Sequence, residues 1–457
     1  MEKFVGREEE LSLIRDALKK PSAAVIVYGK RKVGKTTLLK HALETAGEPF
    51  VYYECLKSSL SDNVENFVKE LVRSGVLPAP LPFSSFPDVF KHLSSLNRTL
   101  NVVIDEYPYL KVLASQETVD SAFQNIIDES IGNIRLFLSG SHVGMMKDLL
   151  TERNALYGRF TLTIQLKELD YQKAAEFYPD KSAYDKVAFY AVFGGSPFVN
   201  GFIDPEKNLR ENIVNTVLNP ASPVSTYAEH LLMSDYTNTI NAERILFAIS
   251  NGQKKYGEIE EILDMKNNGL LSKQLNTLLN MELIEKTYPI NRPDDRKKVS
   301  YEIRDNLLRF YYTFIYKNKS ALAMLGAESF YDEYIETPVV TFISHRFEDL
   351  CLNYFSLLAK KRRLAGVRNI GTYYYNDSGA RKNGEFDVVL ERRNAYDIYE
   401  VKYYAAPLSN KEMLAESEKI KNVKGLPLGG IGFISVSGYE SENPEFHQID
   451  GEALFTP

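Results

Sequence analysis

The chain has 457 residues and a formal charge of −6, since 55 Lys and Arg face 61 Asp and Glu. Its 44% hydrophobic and 25% charged residues are ordinary for a globular protein, so wholesale disorder and a fibrous rod are excluded and about three domains are expected. The two cysteines lie far apart in the sequence, which excludes a disulfide framework and a Cys-rich zinc site. No apolar run has the length of a membrane span, so we expect a cytoplasmic protein.

The first part of the chain alternates between strand-like and helix-like patterns. Ala23–Tyr28 is a continuous run rich in β-branched residues, which is typical of a strand buried on both faces. Three further apolar runs follow, with helical patterns between them, and this rhythm predicts an α/β fold with a parallel sheet wrapped by helices. The further runs are Pro49–Tyr53, Asn101–Ile104 and Ile134–Leu138.

A phosphate-binding loop follows the first predicted strand and opens a predicted helix. The segment fits the pattern G-x-x-x-x-G-K-[ST], whose backbone amides wrap phosphates at a helix N-terminus. We expect Lys35 to reach the β- and γ-phosphates of ATP and Thr36 to bind Mg²⁺. A glycine-rich turn without a nucleotide is the alternative. The residues assigned to the nucleotide here are Gly29, Lys30, Arg31, Lys32, Val33, Gly34, Lys35, Thr36 and Thr37.

Acidic and polar residues follow two of the other predicted strands. Asp105 ends one strand and is expected to hold Mg²⁺ through water, while Glu106 would polarise the attacking water, although a solvated acid pair is the alternative. Ser139 and Ser141, near the end of the next strand, are candidates for sensing the γ-phosphate or are ordinary turn residues. Arg159 is expected to neutralise transition-state charge, in cis or from a neighbouring subunit, and a surface salt bridge is its alternative.

Six short motifs stand in a fixed order: Phe4–Glu8, the phosphate loop, Asp105–Glu106, Leu138–Ser141, Tyr157–Arg159 and Gly194–Pro197. In this order they resemble archaeal-type AAA+/STAND ATPases, and the resemblance extends over nearly the whole chain. It implies that Gly6 and Arg7 lie near the adenine and that Gly195–Pro197 belongs to a helical lid that reports the nucleotide state. It also implies a winged helix after the lid and a C-terminal nuclease-like domain. A homo-oligomer is compatible with Arg159 acting between subunits.

The winged-helix segment offers two surfaces for DNA. Its second short helix presents polar side chains that can reach phosphates or base edges. The loop Asn291–Lys298 carries four cations against two acids and suits a phosphate backbone. A module for protein or interdomain contact is the alternative. The polar helix residues are Ser272, Lys273, Gln274 and Asn276.

A cluster of carboxylates occurs near the C-terminus. Glu400 and Lys402 share one face of a predicted strand, and Asp387 would lie beside Glu400 if the two strands form a hairpin. Two close carboxylates repel each other, which a divalent cation relieves, and Lys402 can stabilise negative charge on a phosphate. Glu348 on the preceding helix would complete the metal site, whereas a solvated hairpin is the alternative.

This D-x(n)-E-x-K pattern resembles the core of PD-(D/E)xK nucleases, except that Phe386 stands where such cores often have proline. Residues 360–402 contain ten Lys or Arg against six Asp or Glu, which favours a polyanion as partner. The cluster Lys360–Arg363 and the tyrosines Tyr373–Tyr375 add charge and stacking surface.

These patterns predict an ATPase coupled to a metal-dependent, nuclease-like DNA-binding domain, with ATP and Mg²⁺ as cofactors. The alternatives are a regulatory ATPase whose C-terminal domain binds DNA or a protein without cleavage, and a nucleotide-binding scaffold. The predicted domains are a P-loop ATPase core at 1–170, a helical lid at 171–238, a winged helix with linker helices at 239–325, and a restriction-endonuclease-like α/β domain at 336–457. The nucleic-acid target, the trigger and the oligomeric state stay open.

Overall fold

The computed structural model describes residues 4–227, 229, 241–252, 254–265, 269–377 and 382–456. The chain divides into two compact units. The first unit is Gly6–Glu168 with Asn280–Glu282, and the second comprises Met1–Val5, Leu169–Leu279 and Leu283–Pro457. Within the ranges that the structure describes, no helix is long and apolar enough to cross a membrane.

Five strands form the sheet of the first unit: β1 (Ala23–Tyr28), β2 (Phe50–Glu54), β3 (Leu100–Asp105), β4 (Ile134–Gly140) and β5 (Leu162–Gln165). Their order is β2-β3-β4-β1-β5, and every neighbouring pair is parallel. Strands β1, β3 and β4 are buried along their whole length. This burial agrees with their nearly continuous apolar sequences, which are typical of strands covered on both faces. The prediction of a parallel α/β core is therefore confirmed.

Six helices cover this sheet. A buried cluster of aromatic side chains fills one side, where Phe67 stacks on Phe90 with ring centroids 5.8 Å apart. A 3₁₀-helix, Tyr107–Lys111, follows β3 directly and a π-helical turn, Ile126–Ser130, precedes β4. The helices are α1 (Glu8–Leu18), α2 (Lys35–Thr45), α3 (Leu60–Arg73), α4 (Phe86–Ser95), α5 (Gln116–Asn125) and α6 (Val143–Asp148).

The second unit begins with short helices. A side chain at Gly195 would place its Cβ 1.9 Å from the carbonyl oxygen of Leu169, whose amide donates to the Gly195 carbonyl, so glycine is required where these two backbones touch. The predicted border between lid and winged helix, at residue 238, lies outside the described residues. The helices are α7 (Tyr171–Ala174), α8 (Ala183–Phe193), α9 (Pro197–Asn200) and α10 (Leu209–Asn212).

The next segment consists of α11 (Ala242–Ser250), β6 (Lys254–Lys255), α12 (Tyr256–Leu263), α13 (Leu270–Asn280), β7 (Ile284–Thr287) and β8 (Ser300–Ile303). Its strands form an antiparallel sheet in the order β6-β8-β7. Helix α13 exposes Ser272, Lys273 and Asn276 as predicted, but the expectation for Gln274 was wrong because its side chain is buried. Gln274 lies three residues after Leu271, within the apolar stripe that repeats at helical spacing.

The C-terminal part contains a second five-stranded sheet in the order β13-β12-β11-β10-β9. Strand β10 is antiparallel to both β9 and β11, while β11, β12 and β13 run parallel. The predicted hairpin is thus present, with Val388 opposite Tyr399. The elements are α14 (Asn306–Phe310), α15 (Lys319–Tyr334), α16 (Pro338–Lys360), β9 (Asn369–Asp377), β10 (Lys382–Glu391), β11 (Tyr396–Lys402), α17 (Asn410–Lys421), β12 (Leu428–Ser435), β13 (His447–Asp450) and α18 (Gly451–Phe455).

A buried ion network joins β8 and α14 to α16. Glu302 on β8 accepts from the guanidinium of Arg309 at 2.7 Å and lies 3.9 Å from that of Arg346 on α16. Arg346 also pairs with Asp349 one turn further along the helix. Buried charges of this kind are tolerated only when each has partners, so the network fixes how α16 lies against β8 and α14.

Candidate functional site

The phosphate loop joins the end of β1 to the start of α2. A Cβ at Gly29 would lie 2.0 Å from the carbonyl oxygen of Leu166, so only glycine fits there. Lys32 and Gly34 have φ angles of 63° and 94°, which turn the backbone sharply before α2. Because Gly34 at the helix N-cap has no side chain, no capping group competes with a phosphate for the first helical amides.

Lys35 is the buried cation of this loop. Its side chain is 6% exposed, and its Nζ donates to the carbonyl oxygens of Gly29 at 3.0 Å and Lys30 at 2.9 Å. A buried ammonium group is tolerated only with such partners. The lysine is therefore held inside the loop that would wrap a phosphate.

Thr36 and Asp105 meet at the carboxyl edge of the sheet. The Thr36 hydroxyl donates to Oδ2 of Asp105 at 2.8 Å, and the hydroxyl of Tyr52 donates to the same oxygen. Burial and the charge of Asp105 raise the pKa of Tyr52 far above its usual value, so it stays a phenol. A hydroxyl beside a carboxylate is the oxygen-rich donor set that Mg²⁺ prefers, so these residues fit that ion.

Tyr52 was missed by the sequence reasoning. It lies on β2, opposite Val103 of β3, and reaches the strand end where Asp105 stands. The only signal in the sequence is a tyrosine near the end of an apolar strand, which by itself predicts packing as readily as a site.

Glu106 adopts a left-handed backbone, with φ 50°, directly after β3. Its Oε2 accepts two hydrogen bonds from Ser141, one from the backbone amide at 3.0 Å and one from the hydroxyl at 2.8 Å. Ser139, the other serine considered, is fully buried within β4. Ser141 is therefore the serine that faces the acid pair.

Several assigned residues surround the loop. The Arg7 guanidinium donates to the carbonyl oxygens of Val33 at 3.0 Å and Lys167 at 2.7 Å. Arg31 donates to the Tyr109 hydroxyl at 2.8 Å. These contacts hold Arg7 and Arg31 near the phosphate loop, at the C-terminal ends of the strands. Of the remaining assigned residues, Gly6 has a left-handed backbone, Lys30 lies 3.5 Å from Glu168, and Lys32 and Thr37 are exposed.

Arg159 lies near the N-terminal end of β1, whereas the phosphate loop lies at the C-terminal end of that strand. It precedes β5, whose first residue Leu162 pairs with Val25 in the first half of β1. Its guanidinium pairs with Asp128 at 2.9 Å, and this hydrogen bond lowers the pKa of Asp128. This position does not fit a role for Arg159 at the phosphate loop of its own chain, and the ion pair with Asp128 is the surface salt bridge that the sequence offered as the alternative.

Asp387 lies on β10 at an irregularity in its pairing with β9, between Phe386 and Val389. Although the side chain reaches the surface, packing around the carboxyl and the charges of Glu348, Glu385 and Glu400 raise the pKa of Asp387 to about 7. Asp387 therefore lies within electrostatic reach of Glu348 and Glu400, the other two carboxylates predicted to bind metal. Such repulsion is what a bound cation relieves.

Lys402 pairs with Glu400 through Nζ and Oε1 at 2.7 Å and lies 3.9 Å from Glu416 on α17. Burial opposes protonation, but the hydrogen bond and charge of Glu400 raise the pKa of Lys402. A hydrogen bond with Glu348 likewise raises the pKa of His345 on α16. Across the residues that the structure describes, no three His, Cys, Asp or Glu side chains converge in the arrangement of a formed metal site.

Comparison with known proteins gives matches to two families. Residues 4–199 match a family described as an ATPase domain predominantly from Archaea. Residues 311–416 match a family described as Archaea bacterial proteins of unknown function. An uncharacterized protein of Methanocaldococcus jannaschii is 28% identical over 367 residues, which is 79% of each chain.

Among solved structures, a Walker-type ATPase of Pyrococcus abyssi superposes with a TM-score of 0.51 at 18% identity, covering 68% of this chain and 96% of that one. The ORC2 protein of Aeropyrum pernix, solved with ADPNP and ADP, has a TM-score of 0.44 at 13% identity and covers 70% and 95%. The first similarity shows a shared fold. Residues 4–199 of this chain are similar to the ATPase domains that occur predominantly in Archaea.

Proposed function

We propose that this protein hydrolyses ATP with Mg²⁺ at the phosphate loop and that the nucleotide state controls a metal-dependent nuclease site around Asp387, with DNA as substrate. The observation that carries the proposal is the convergence of Thr36, Asp105 and Glu106 at the strand ends beside the phosphate loop. Hydrolysis requires a cation for the phosphates, a ligand for the metal and a base for water, and these residue types meet each need.

In this mechanism Lys35 and the loop amides hold the β- and γ-phosphates. Thr36 would bind Mg²⁺ directly and Asp105 through water, and the ion would offset the phosphate charge. Glu106 accepts a proton from the water whose oxygen attacks the γ-phosphorus, while the bond from that phosphorus to the bridging oxygen breaks and ADP leaves.

Ser141 orients Glu106 for this step. Its amide and hydroxyl both donate to one carboxylate oxygen, which leaves the other oxygen of Glu106 to accept the water proton. Arg159 would stabilise the charge on the γ-phosphate of a neighbouring subunit, an action worth about 10³–10⁵ in rate where such arginines operate. This role makes hydrolysis dependent on a homo-oligomer.

The nuclease half rests on the order of elements and the residues that they carry. Helix α16 bears Glu348, β10 bears Asp387, and β11 bears Glu400 and Lys402, and α17 then leads into the parallel strand β12. This order agrees with the resemblance to PD-(D/E)xK cores. Glu348, Asp387 and Glu400 would hold a divalent cation, and Lys402, already protonated, would stabilise the developing negative charge on a phosphate.

Two sets of variants test the two halves separately. Glu106→Gln should keep ATP binding and lower phosphate release by about 10²–10⁴, whereas the exposed Glu117→Gln on α5 serves as the control. Plasmid cleavage with Mg²⁺ or Mn²⁺ should be lost in Asp387→Ala and Lys402→Ala and retained in Glu391→Gln, which changes another acid of the same strand. Cleavage that is unchanged in both of the first two variants would rule out the nuclease site.

A second candidate function is a regulatory ATPase whose C-terminal domain binds DNA without cutting it. The observation that favours it is the tight pairing of Glu400 with Lys402, together with the lack of a formed three-ligand group among the described residues. Salt-sensitive DNA binding without cleavage supports this candidate. Absence of DNA binding would indicate a protein partner.

A further inference from the structure

The loop between β7 and β8, residues 288–299, is here called the wing. From the sequence this loop suits either a phosphate backbone or a contact with protein or another domain, and part of it lies along the edge strand β9 of the C-terminal sheet. The amide of Ile290 donates to the Thr372 carbonyl at 2.8 Å. The Asn291 side chain donates to the Tyr374 carbonyl at 2.8 Å and accepts from the Tyr374 amide at 3.1 Å. The wing is therefore hydrogen-bonded to the edge strand of the sheet that carries Asp387.

Side chains of both the wing and the C-terminal sheet pack at this attachment. Ile290 is 7% exposed and belongs to the same buried cluster as Tyr373 and Phe386. Position 371 is glycine, and a Cβ there would lie 2.6 Å from the Ile290 side chain. The edge of the sheet is thus shaped to receive the wing, and a wing anchored in this way does not move independently of β9.

The wing also places one cation on a defined face of the sheet. The Nζ of Lys298 lies 3.5 Å from the ring centroid of Tyr374. Tyr374 is paired with Glu385, and directly opposed residues of an antiparallel pair point to the same face. Tyr373 and Phe386 point to the other, buried face. Lys298 consequently lies on the face that carries Glu385.

Asp387 follows Glu385 by two residues on β10, at an irregularity of the strand. Phe386 opposes Tyr373 and Val389 opposes Gly371, so the strand has one residue too many between them. Such a bulge redirects a side chain, and the charge of Glu385 acts on Asp387 across this short distance. Two residues along a strand span ~7 Å, which is close to the distance between neighbouring phosphates of one nucleic-acid strand.

We propose that the wing is a working part of the C-terminal site and that Lys298 binds a phosphate of the nucleic-acid strand whose neighbouring phosphate lies at Asp387. The inference rests on the proposed function of that site. Lys298 then offsets the repulsion that four carboxylates would exert on a polyanion. The wing adds three exposed cations beside it, Arg292, Arg296 and Lys297, against Asp294 and Asp295.

The position on Tyr374 suits a phosphate contact. The face of an aromatic ring attracts an ammonium group and holds it in place. The N–H groups of the lysine that lie away from the ring then point outward. A lysine fixed in this way loses little further freedom when a phosphate arrives. Lys286 provides a matched comparison, since its Nζ lies 5.8 Å from the ring of Tyr301 on the same small sheet but its strand β7 pairs with β8 and not with β9.

The test measures binding of the full chain to a labelled DNA duplex with Ca²⁺ in place of Mg²⁺, across salt concentrations of about 50–200 mM. Loss of one phosphate contact lowers the slope of log K against log salt by about 0.9, and we expect this change in Lys298→Ala. At the lowest salt its affinity should fall roughly tenfold, which corresponds to about 1.4 kcal/mol. Lys298→Arg should keep the slope, and Lys286→Ala should match the unchanged chain.

A slope for Lys298→Ala equal to that of the unchanged chain, an equal loss in Lys286→Ala, or no DNA binding at low salt would each overturn the inference. A lysine that only packs on Tyr374 would weaken folding without altering the slope, which thermal melting of the same variants separates. Cleavage with Mg²⁺ distinguishes a failure of the wing contact from a failure of the proposed nuclease. Cleavage by the unchanged chain with a normal slope in Lys298→Ala refutes the wing contact alone, and a reduced slope without any cleavage refutes the nuclease alone.

Discussion

Asp120 on α5 is a buried anion that contacts the 3₁₀-helix after β3, and its replacement by asparagine should be strongly destabilising. Its carboxylate accepts from the Tyr107 hydroxyl at 2.7 Å and from the Asn154 amide at 2.8 Å, and it pairs with Lys111 at 2.6 Å. The side chains of Lys111 and Asp120 are 1% and 2% exposed. Asp120→Asn therefore leaves the Lys111 ammonium group buried without its counter-charge.

The magnitude follows from this burial. Removing one partner of a buried ion pair costs about 3–5 kcal/mol, because the remaining charge keeps its desolvation cost. The pair Arg159–Asp128 in the same unit gives the contrast, since its side chains are 29% and 41% exposed. Exposed pairs contribute about 0–1 kcal/mol, so Asp128→Asn is the matched control. In a unit of this size the loss for Asp120→Asn corresponds to a fall in Tm of about 6–20 °C.

The assay is thermal unfolding of the full chain, followed by circular dichroism, with ATPase activity measured well below the transition. The ATPase rate should also fall, because the 3₁₀-helix that carries Tyr107 and Lys111 begins directly after Glu106. Adding Lys111→Met to Asp120→Asn should restore at least half of the lost stability, since the pair then carries no buried charge. A Tm within about 2 °C of the unchanged chain for Asp120→Asn would refute the reasoning.

Three further predictions concern the ATPase unit and the helical segment that follows it. Tyr52→Phe removes a hydrogen bond to the charged Asp105, which is worth about 1.5–3 kcal/mol. Phosphate release should then show a kcat that is at least tenfold lower and an unchanged KM for ATP. Arg159→Ala and Glu106→Gln should each be inactive alone, and mixing them should restore activity, which a role of Arg159 within its own chain would not allow. Gly195→Ala should lower the Tm, because its Cβ would lie 1.9 Å from a backbone carbonyl oxygen; an unchanged Tm would contradict that packing.

Much of the nucleotide site is predictable from sequence because it depends on local patterns. Apolar runs locate the strands of a parallel sheet, and the residues after parallel strands meet at one edge. Asp105 and Thr36 are therefore expected together, and the 2.8 Å hydrogen bond between them agrees. Tyr52 was not predictable, since its contact depends on β2 lying next to β3 and on the direction of one side chain. The two bonds from Ser141 to Glu106 likewise depend on the order of the strands.

Long-range pairing accounts for what the sequence did not reveal about the C-terminal site. The hairpin and the shared face of Glu400 and Lys402 follow from alternation along a strand. The irregularity at Asp387 breaks that alternation, and no residue pattern marks it. The attachment of the wing to β9 joins segments about 80 residues apart, as between Asn291 and Tyr374, so a charge count alone could only describe the wing as a cationic loop.

Two connections join β8 and the wing to elements that carry carboxylates near Asp387. The first is the ion network, in which Glu302 and Arg309 hold Arg346, two residues before Glu348 on the same helix. The second is the wing, which holds Tyr374 opposite Glu385. Both routes end near carboxylates, Glu348 and Glu385, whose charges act on Asp387. A displacement of β8 and the wing relative to α16 and β9 would therefore have to break the ion network or the hydrogen bonds of the wing.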